Sequence, residues 1–219
     1  MTQQTPSFVQ VVPADAEAGA MMRPDSVIAL LQRYPDLVLR EVQRLDRSVH
    51  GAVFGPIQPG KDIDSSLYRY VLWRIWQPGG RYLVAVMLNP STATHLDDDP
   101  TIDRMTKRAH QLGYHGLIVV NVFAWRDTLP KDMRQAMDPV GPANDAAIDL
   151  VIDDATLIVC GWGANGDHLG RAAAVATQLE NRGIQLHCLG MVSSGHPEHP
   201  LYLPYSRKPE PWSISSLRK

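Results

Sequence analysis

Val84 to Met105 reads VAVMLNPSTATHLDDDPTIDRM: an apolar strand, an abrupt Asn-Pro-Ser-Thr turn, three aspartates and a helix start in succession. The run Tyr82–Leu88 is continuously apolar, the pattern of a strand buried on both faces. A plain connection needs Gly, Asn or Asp. Asn89, Pro90, Ser91 and Thr92, with Asp97, Asp98 and Asp99 behind them, collect more donors, acceptors and carboxylates than a turn requires.

The same beat recurs downstream. DDPTIDRMTKRAHQLGY reads as a helix ended by Gly113, and GLIVVNVFAWR as a buried strand. GPANDAAIDLVIDDA (helix), TLIVCGWG (strand), DHLGRAAAVATQLENRG (helix) and IQLHCLGMV (strand) follow. Alternating helices and apolar strands predict an α/β fold, a three-layer α/β/α sandwich with a mainly parallel central sheet of at least four strands. Ligands of such sheets bind beyond the carboxyl ends of the strands. Those ends carry Asn89–Thr92, Asn121–Arg126, Gly161-Trp162-Gly163 and Ser193–His199, so the unusual polar residues are expected around one crevice.

Residues 1–23 have no period and are expected to form a mobile arm, and 24–50 a helical extension of two short helices broken at Pro35. The α/β domain is placed at 51–206 and a C-terminal tail at 207–219. Within the domain, Tyr68–Trp76 alternates large apolar and basic residues, the pattern of a half-exposed strand.

Hydrophobic residues make up 44% and charged residues 20% of 219, an ordinary soluble composition. The net charge of −2 advertises no global nucleic-acid field, leaving a local patch as the means of holding a nucleobase, nucleotide or nucleic acid. Lys107, Arg108, Lys131, Arg134, Arg207 and Lys208 read as solvated surface. Cys160 and Cys188 sit in apolar runs as buried thiols, too few for a four-cysteine zinc site or a four-thiolate cluster. No leader or membrane-spanning run is read, so a cytoplasmic protein without a membrane partner is expected.

The segments YRYVLWRIW, MLNPSTA, DDPTI, VVNVFAWR, DPVGPANDAAI, CGWG and GHPEHPLYL together resemble an uncharacterised family of bacterial and phage proteins, catalogued as domain of unknown function 1643. The likeness runs from Arg69 to Leu203. More distantly, MLNPS, VVNVFAWR, IVCGWG and EHPLYL, each at a strand end, are similar in kind and order to the loops of the uracil-DNA glycosylase superfamily. That resemblance implies that Asn89 orients an attacking water, that Asn121 reads the hydrogen-bonding edge of a base, and that His199 stabilises the anionic leaving base. STATHLDDD holds no aromatic where such enzymes stack the base, so stacking would fall to Phe123, Trp125 or Trp162.

Each candidate also has a plain structural reading. Asn89 and Ser91 can satisfy turn backbone. One aspartate can cap a helix, which leaves Asp98 or Asp99 as a general base or the three together as ligands for magnesium, the one cofactor considered. Arg126 pairs with an aspartate or holds a phosphate. Trp162, between two glycines, is core or a flat platform. His196 and His199 have metal-like spacing, but the prolines after each make an extended loop, so contact with a base is preferred. Three functions follow: a nucleobase-recognising N-glycosylase (a hydrolase), a non-catalytic nucleotide or modified-base binding module, and a metal-dependent phosphoryl or nucleotidyl enzyme.

Overall fold

The computed structural model describes residues 23–57 and 61–218. The arm expected over 1–23 thus lies, Arg23 apart, outside the described residues. Five α-helices and eight strands follow in the order α1 (Asp25–Arg33), β1 (Val38–Gln43), β2 (Val49–Phe54), β3 (Arg69–Ile75), β4 (Tyr82–Met87), α2 (Pro100–Gln111) and β5 (Gly116–Asn121). After them come α3 (Pro130–Met133), α4 (Asn144–Val151), β6 (Ala155–Cys160), α5 (Arg171–Asn181), β7 (Leu186–Cys188) and β8 (Glu210–Trp212).

All eight strands form one sheet in the order β1-β2-β3-β5-β4-β6-β7-β8. Its centre, β5-β4-β6-β7, is parallel. The flanking pairs β1/β2, β2/β3, β3/β5 and β7/β8 are antiparallel. The sheet is therefore mixed, which corrects the expectation of a mainly parallel one. An uninterrupted apolar run reports burial on both faces, and it carries no information about the direction of a neighbour.

Side chains alternate across the sheet. Val84 and Val86 of β4 join the apolar cluster that receives Leu30 of α1, Ile148 of α4 and Val175 of α5. Leu83, Ala85 and Met87 point the other way, into a cluster with Ile102, Met105 and Ala109 of α2. α2 starts where Asp99 Oδ1 accepts the N–H groups of Thr101 and Ile102, each at 2.9 Å, with Pro100 in the first turn. It ends at Gly113, whose φ of +75° a side chain would strain.

Four further expectations are corrected. The second helix foreseen within 24–50 is instead β1, and β2 begins at Val49, so this region is one helix plus a hairpin joined to the main sheet. Val38, Val42 and Val49 suit helix and strand alike, and the decisive partner is distant: Gly51 lies opposite Trp73 of β3, where any side chain would strike the indole. Residues 210–212 of the expected tail form β8, anchored by Trp212, whose indole N–H donates to the Gly195 carbonyl at 2.9 Å. β3, read as half-exposed, is buried along its whole length. Its arginines are covered by the loop after β4: Arg74 donates to Asp98 Oδ1 at 2.8 Å and to the Thr94 carbonyl at 2.6 Å. Arg108, read as surface, is likewise buried and donates to the carbonyls of Leu203, Pro204, Tyr205 and Arg207. Cys160 and Cys188 are free, buried thiols, and burial raises the pKa of both. Among the described residues no helix is long and apolar enough to cross a membrane.

Candidate functional site

The carboxyl ends of the parallel strands open into a cavity of about 570 Å³, a volume typical of small-ligand sites. Four loops line it. The β4 loop contributes Asn89, Ser91 and Thr92, and Asp99 stands at the start of α2. Asn121 ends β5, Trp162 and Gly163 follow β6, and His199 comes from the loop after β7.

Backbone bonds lace these loops together. The amides of Val122 and Phe123 donate to the carbonyls of Met87 and Leu88, and Asp127 donates to the Pro90 carbonyl at 2.9 Å. Gly163, at φ +66°, donates to the Pro197 carbonyl at 2.8 Å and ties the β6 loop to the His199 loop. Gly161 permits the same approach from below, since a Cβ there would lie 2.7 Å from Pro200 Cδ. The pairing of glycines around Trp162 is thus explained by close packing of two loops.

Asn89 turns its Nδ2 to backbone, donating to the Asp127 carbonyl at 2.7 Å and the Pro90 carbonyl at 3.1 Å. Its Oδ1 accepts from none of the described residues, so the turn reading and an outward-facing acceptor hold together. Asn121 is 2% exposed and its Nδ2 has no partner among the described residues. Buried donors without partners are rare in folded proteins and costly, about 1–3 kcal/mol each. Asn144, the first residue of α4, holds this strand end: its Nδ2 donates to the carbonyls of Asn121 and Val122.

Trp162 is buried against Trp212, edge to face with ring centroids 5.4 Å apart, and its indole N–H donates to His196 Nδ1 at 3.2 Å. His196 therefore orients the indole from beneath and does not line the cavity. Burial keeps the pKa of His196 below its ordinary value. His199 lies in the cavity wall with its Nδ1 accepting the Leu201 N–H at 3.4 Å. That bond puts the proton of the neutral ring on Nε2. Burial lowers the pKa of His199, against the opposing field of Asp99, so the neutral donor form holds at pH 7.

The three aspartates part company. Asp99 caps α2 and lines the cavity, Asp98 is bound to Arg74, and Asp97 is exposed. Among the described residues no group of three or more His, Cys, Asp or Glu could hold a metal ion. Phe123 is fully buried in the core, and Trp125 packs edge to face on Tyr68. Arg126 donates to the Ile63 and Ser66 carbonyls, outside the cavity wall. Of the three stacking candidates only Trp162 reaches the cavity.

Reasoning from sequence missed four charged or aromatic residues of the lining: Arg69, Asp127, Glu198 and Tyr202. Asp127 directly follows FAWR and Glu198 directly precedes His199, so chain proximity was an available signal. Tyr202, 77% exposed, brings its ring centroid 5.8 Å from that of His199 and places an aromatic at the mouth. Arg69 had no such signal, for the reason given below.

The model of a family described as Protein of unknown function (DUF1643) matches residues 69–201. The chain belongs to this family. The matched span contains every parallel strand and every cavity residue named above except Tyr202. No curated protein and no solved structure matches the chain.

Proposed function

We propose that the cavity recognises a nucleobase within a nucleoside, nucleotide or nucleic acid, and that the protein hydrolyses an N-glycosidic bond there, on a three-layer scaffold of the uracil-DNA glycosylase kind. The observation that carries this reading is the meeting of Asn89, Asn121, Trp162 and His199 on one cavity from four separate loops. Asn121 offers a buried N–H₂ without a partner, suited to a base carbonyl. Asn89 Oδ1 and the Asp99 carboxylate are acceptors for a water. The water oxygen bonds to the sugar carbon, Asp99 takes the water proton, and the electrons of the broken C–N bond leave with the base. His199, neutral and donating from Nε2, is suited to that negative charge, and a fixed donor of this kind is worth about 3–4 kcal/mol of barrier.

Incubation with uracil-, hypoxanthine- and hypermodified-base oligonucleotides, and with the matching nucleosides, tests the reading. Release of free base, lost in His199→Ala, is the expected result. Intact substrates throughout would refute the hydrolysis.

A non-catalytic binding module is favoured by a different observation, the commitment of Asp98 to Arg74 and of the Asn89 amide to backbone. Asn89→Ala separates the two readings. An enzyme keeps its ligand affinity and loses turnover, whereas a binding module shows no turnover in either form.

A further inference from the structure

Three carboxylates, those of Asp99, Asp127 and Glu198, line the cavity, and Arg69 is the one Lys or Arg among the described residues of its wall. Arg69 is already engaged. Val53 of β2 lies opposite Val71 and Phe54 opposite Arg69, so Tyr70 is an extra residue in β3 and turns Arg69 onto the α2 face. There its Nη1 donates to the Ala93 carbonyl at 2.6 Å, and Asp99 is the charge that favours it most. His199 is neutral at pH 7. Asp127 and Glu198 are therefore left without a counter-ion in the wall.

Both are held in place. The Asp127 N–H donates to the Pro90 carbonyl at 2.9 Å, its carbonyl accepts Asn89 Nδ2 at 2.7 Å, and its Oδ1 accepts the Leu129 N–H at 3.0 Å. Its Oδ2 stays uncommitted. The Glu198 N–H donates to the Gly190 carbonyl at 2.8 Å, and its side chain passes over Gly190, where a Cβ would lie 3.4 Å from Oε2. The Glu198 carboxylate makes no hydrogen bond or ion pair with the described residues. A ligand that fills the cavity strips water from both groups. A neutral or anionic ligand leaves them poorly solvated, whereas a cation replaces the lost water with charge-assisted hydrogen bonds.

A ligand is indicated independently by Asn121, whose buried Nδ2 has no partner among the described residues and belongs to the same wall. A volume of about 570 Å³ also holds more than a bare planar ring. Glu198 stands one residue from His199, and the Asp127 carbonyl fixes Asn89, so both carboxylates adjoin groups assigned to the base and its attacking water. We infer that the base recognised here carries a cationic amine as a substituent, with Glu198 and Asp127 as its counter-ions. The inference rests on the nucleobase reading and adds to it the substrate class, an amine-modified base in preference to an unmodified or acidic one.

The test compares three 2′-deoxyuridines by calorimetry with the full-length protein at pH 7. They carry at ring position 5 an aminomethyl group (a cation), a hydroxymethyl group (neutral and nearly isosteric) or a carboxyl group (an anion). The wild type is expected to prefer aminomethyl over hydroxymethyl by at least about tenfold, the worth of a hydrogen bond to a charged group, with carboxyl weakest. Glu198→Gln and Asp127→Asn should each reduce that preference and the double variant should abolish it, with thermal melts establishing that each is folded. Equal binding of the aminomethyl and hydroxymethyl compounds by the wild type, or the reverse order, overturns the cationic class without needing any variant and leaves the nucleobase reading standing. A preference that survives in the folded double variant overturns the role of the two carboxylates. Failure of all three compounds to bind defeats both readings.

Discussion

His199 and Asn121 are both partly or wholly removed from water, and for each the removal sets a testable behaviour. Burial depresses the pKa of His199, and protonation would break the bond it accepts from Leu201. Base release should therefore be level from pH 9 down to 7 and decline only below the ordinary histidine range near 6.5, as a pH–rate profile would record. Asn121→Ala removes a donor that has no partner among the described residues. Ligand affinity should fall about tenfold, the worth of one good hydrogen bond, while urea melts show stability unchanged or slightly increased, because an unsatisfied buried group has been deleted. A variant that loses stability instead would show that the Asn121 amide is satisfied within the protein. Asn89, Asn121, Trp162 and His199 were all legible as candidates, because an unusual polar or aromatic residue at the end of an apolar strand is a local pattern. Arg69 was not, since YRYV spaces its residues as regular alternation does and the register with β2 is what turns its side chain over.

Among elements, α2 and β2 offer the sharpest contrasts. Asp99 both caps α2 and lines the cavity. Asp99→Ala should cost about 1 kcal/mol of stability through the lost cap. Asp99→Asn keeps a capping oxygen and should melt near the wild type, yet lose base release, because the acceptor for the water proton is gone. Equal activity of Asp99→Asn and wild type would remove Asp99 from the chemistry. In β2, a Cβ at Gly51 would lie 2.0 Å from Trp73 Cζ2. Gly51→Ala should destabilise by about 1–3 kcal/mol, the usual range for an overfilled core, with no direct contact to the cavity. The helices were readable from caps and stops such as Asp99, Gly113 and Gly183. β1 was read as helix because Val38 and Val42 fit either period, and its pairing with β2 is a contact that no local pattern announces.

For the whole molecule the titrating histidines set an acid limit. Burial lowers the pKa of His50 to about 3 and depresses His95, His196 and His199 as well. Each binds a proton more readily in the unfolded chain, near 6.5, than in the folded one. Their contribution to stability is complete above pH 6.5 and is lost as pH falls from there through the lowered folded values. Urea midpoints should hold between pH 7 and 8 and drop steadily from pH 6 to 4, and His50→Gln should flatten that drop. A midpoint independent of pH over this range would contradict the buried, neutral state of these rings.

Local order along the chain was enough to determine the α/β class, the succession of buried strands and helices from Tyr82 onward, and the strand ends at which polar residues gather. Hydrophobic period, capping residues and turn glycines act over a few neighbours, and a sequence displays them directly. The tertiary structure decided what depends on distant partners: the antiparallel flanks of the sheet, the fold-back of β8, the division of Asp97, Asp98 and Asp99 among three environments, and the burial of Arg74 and Arg108 under loop carbonyls. It also decided the cavity's cation. The face on which Arg69 lies is set by one extra residue in a pairing between strands, and register is a property of two segments together.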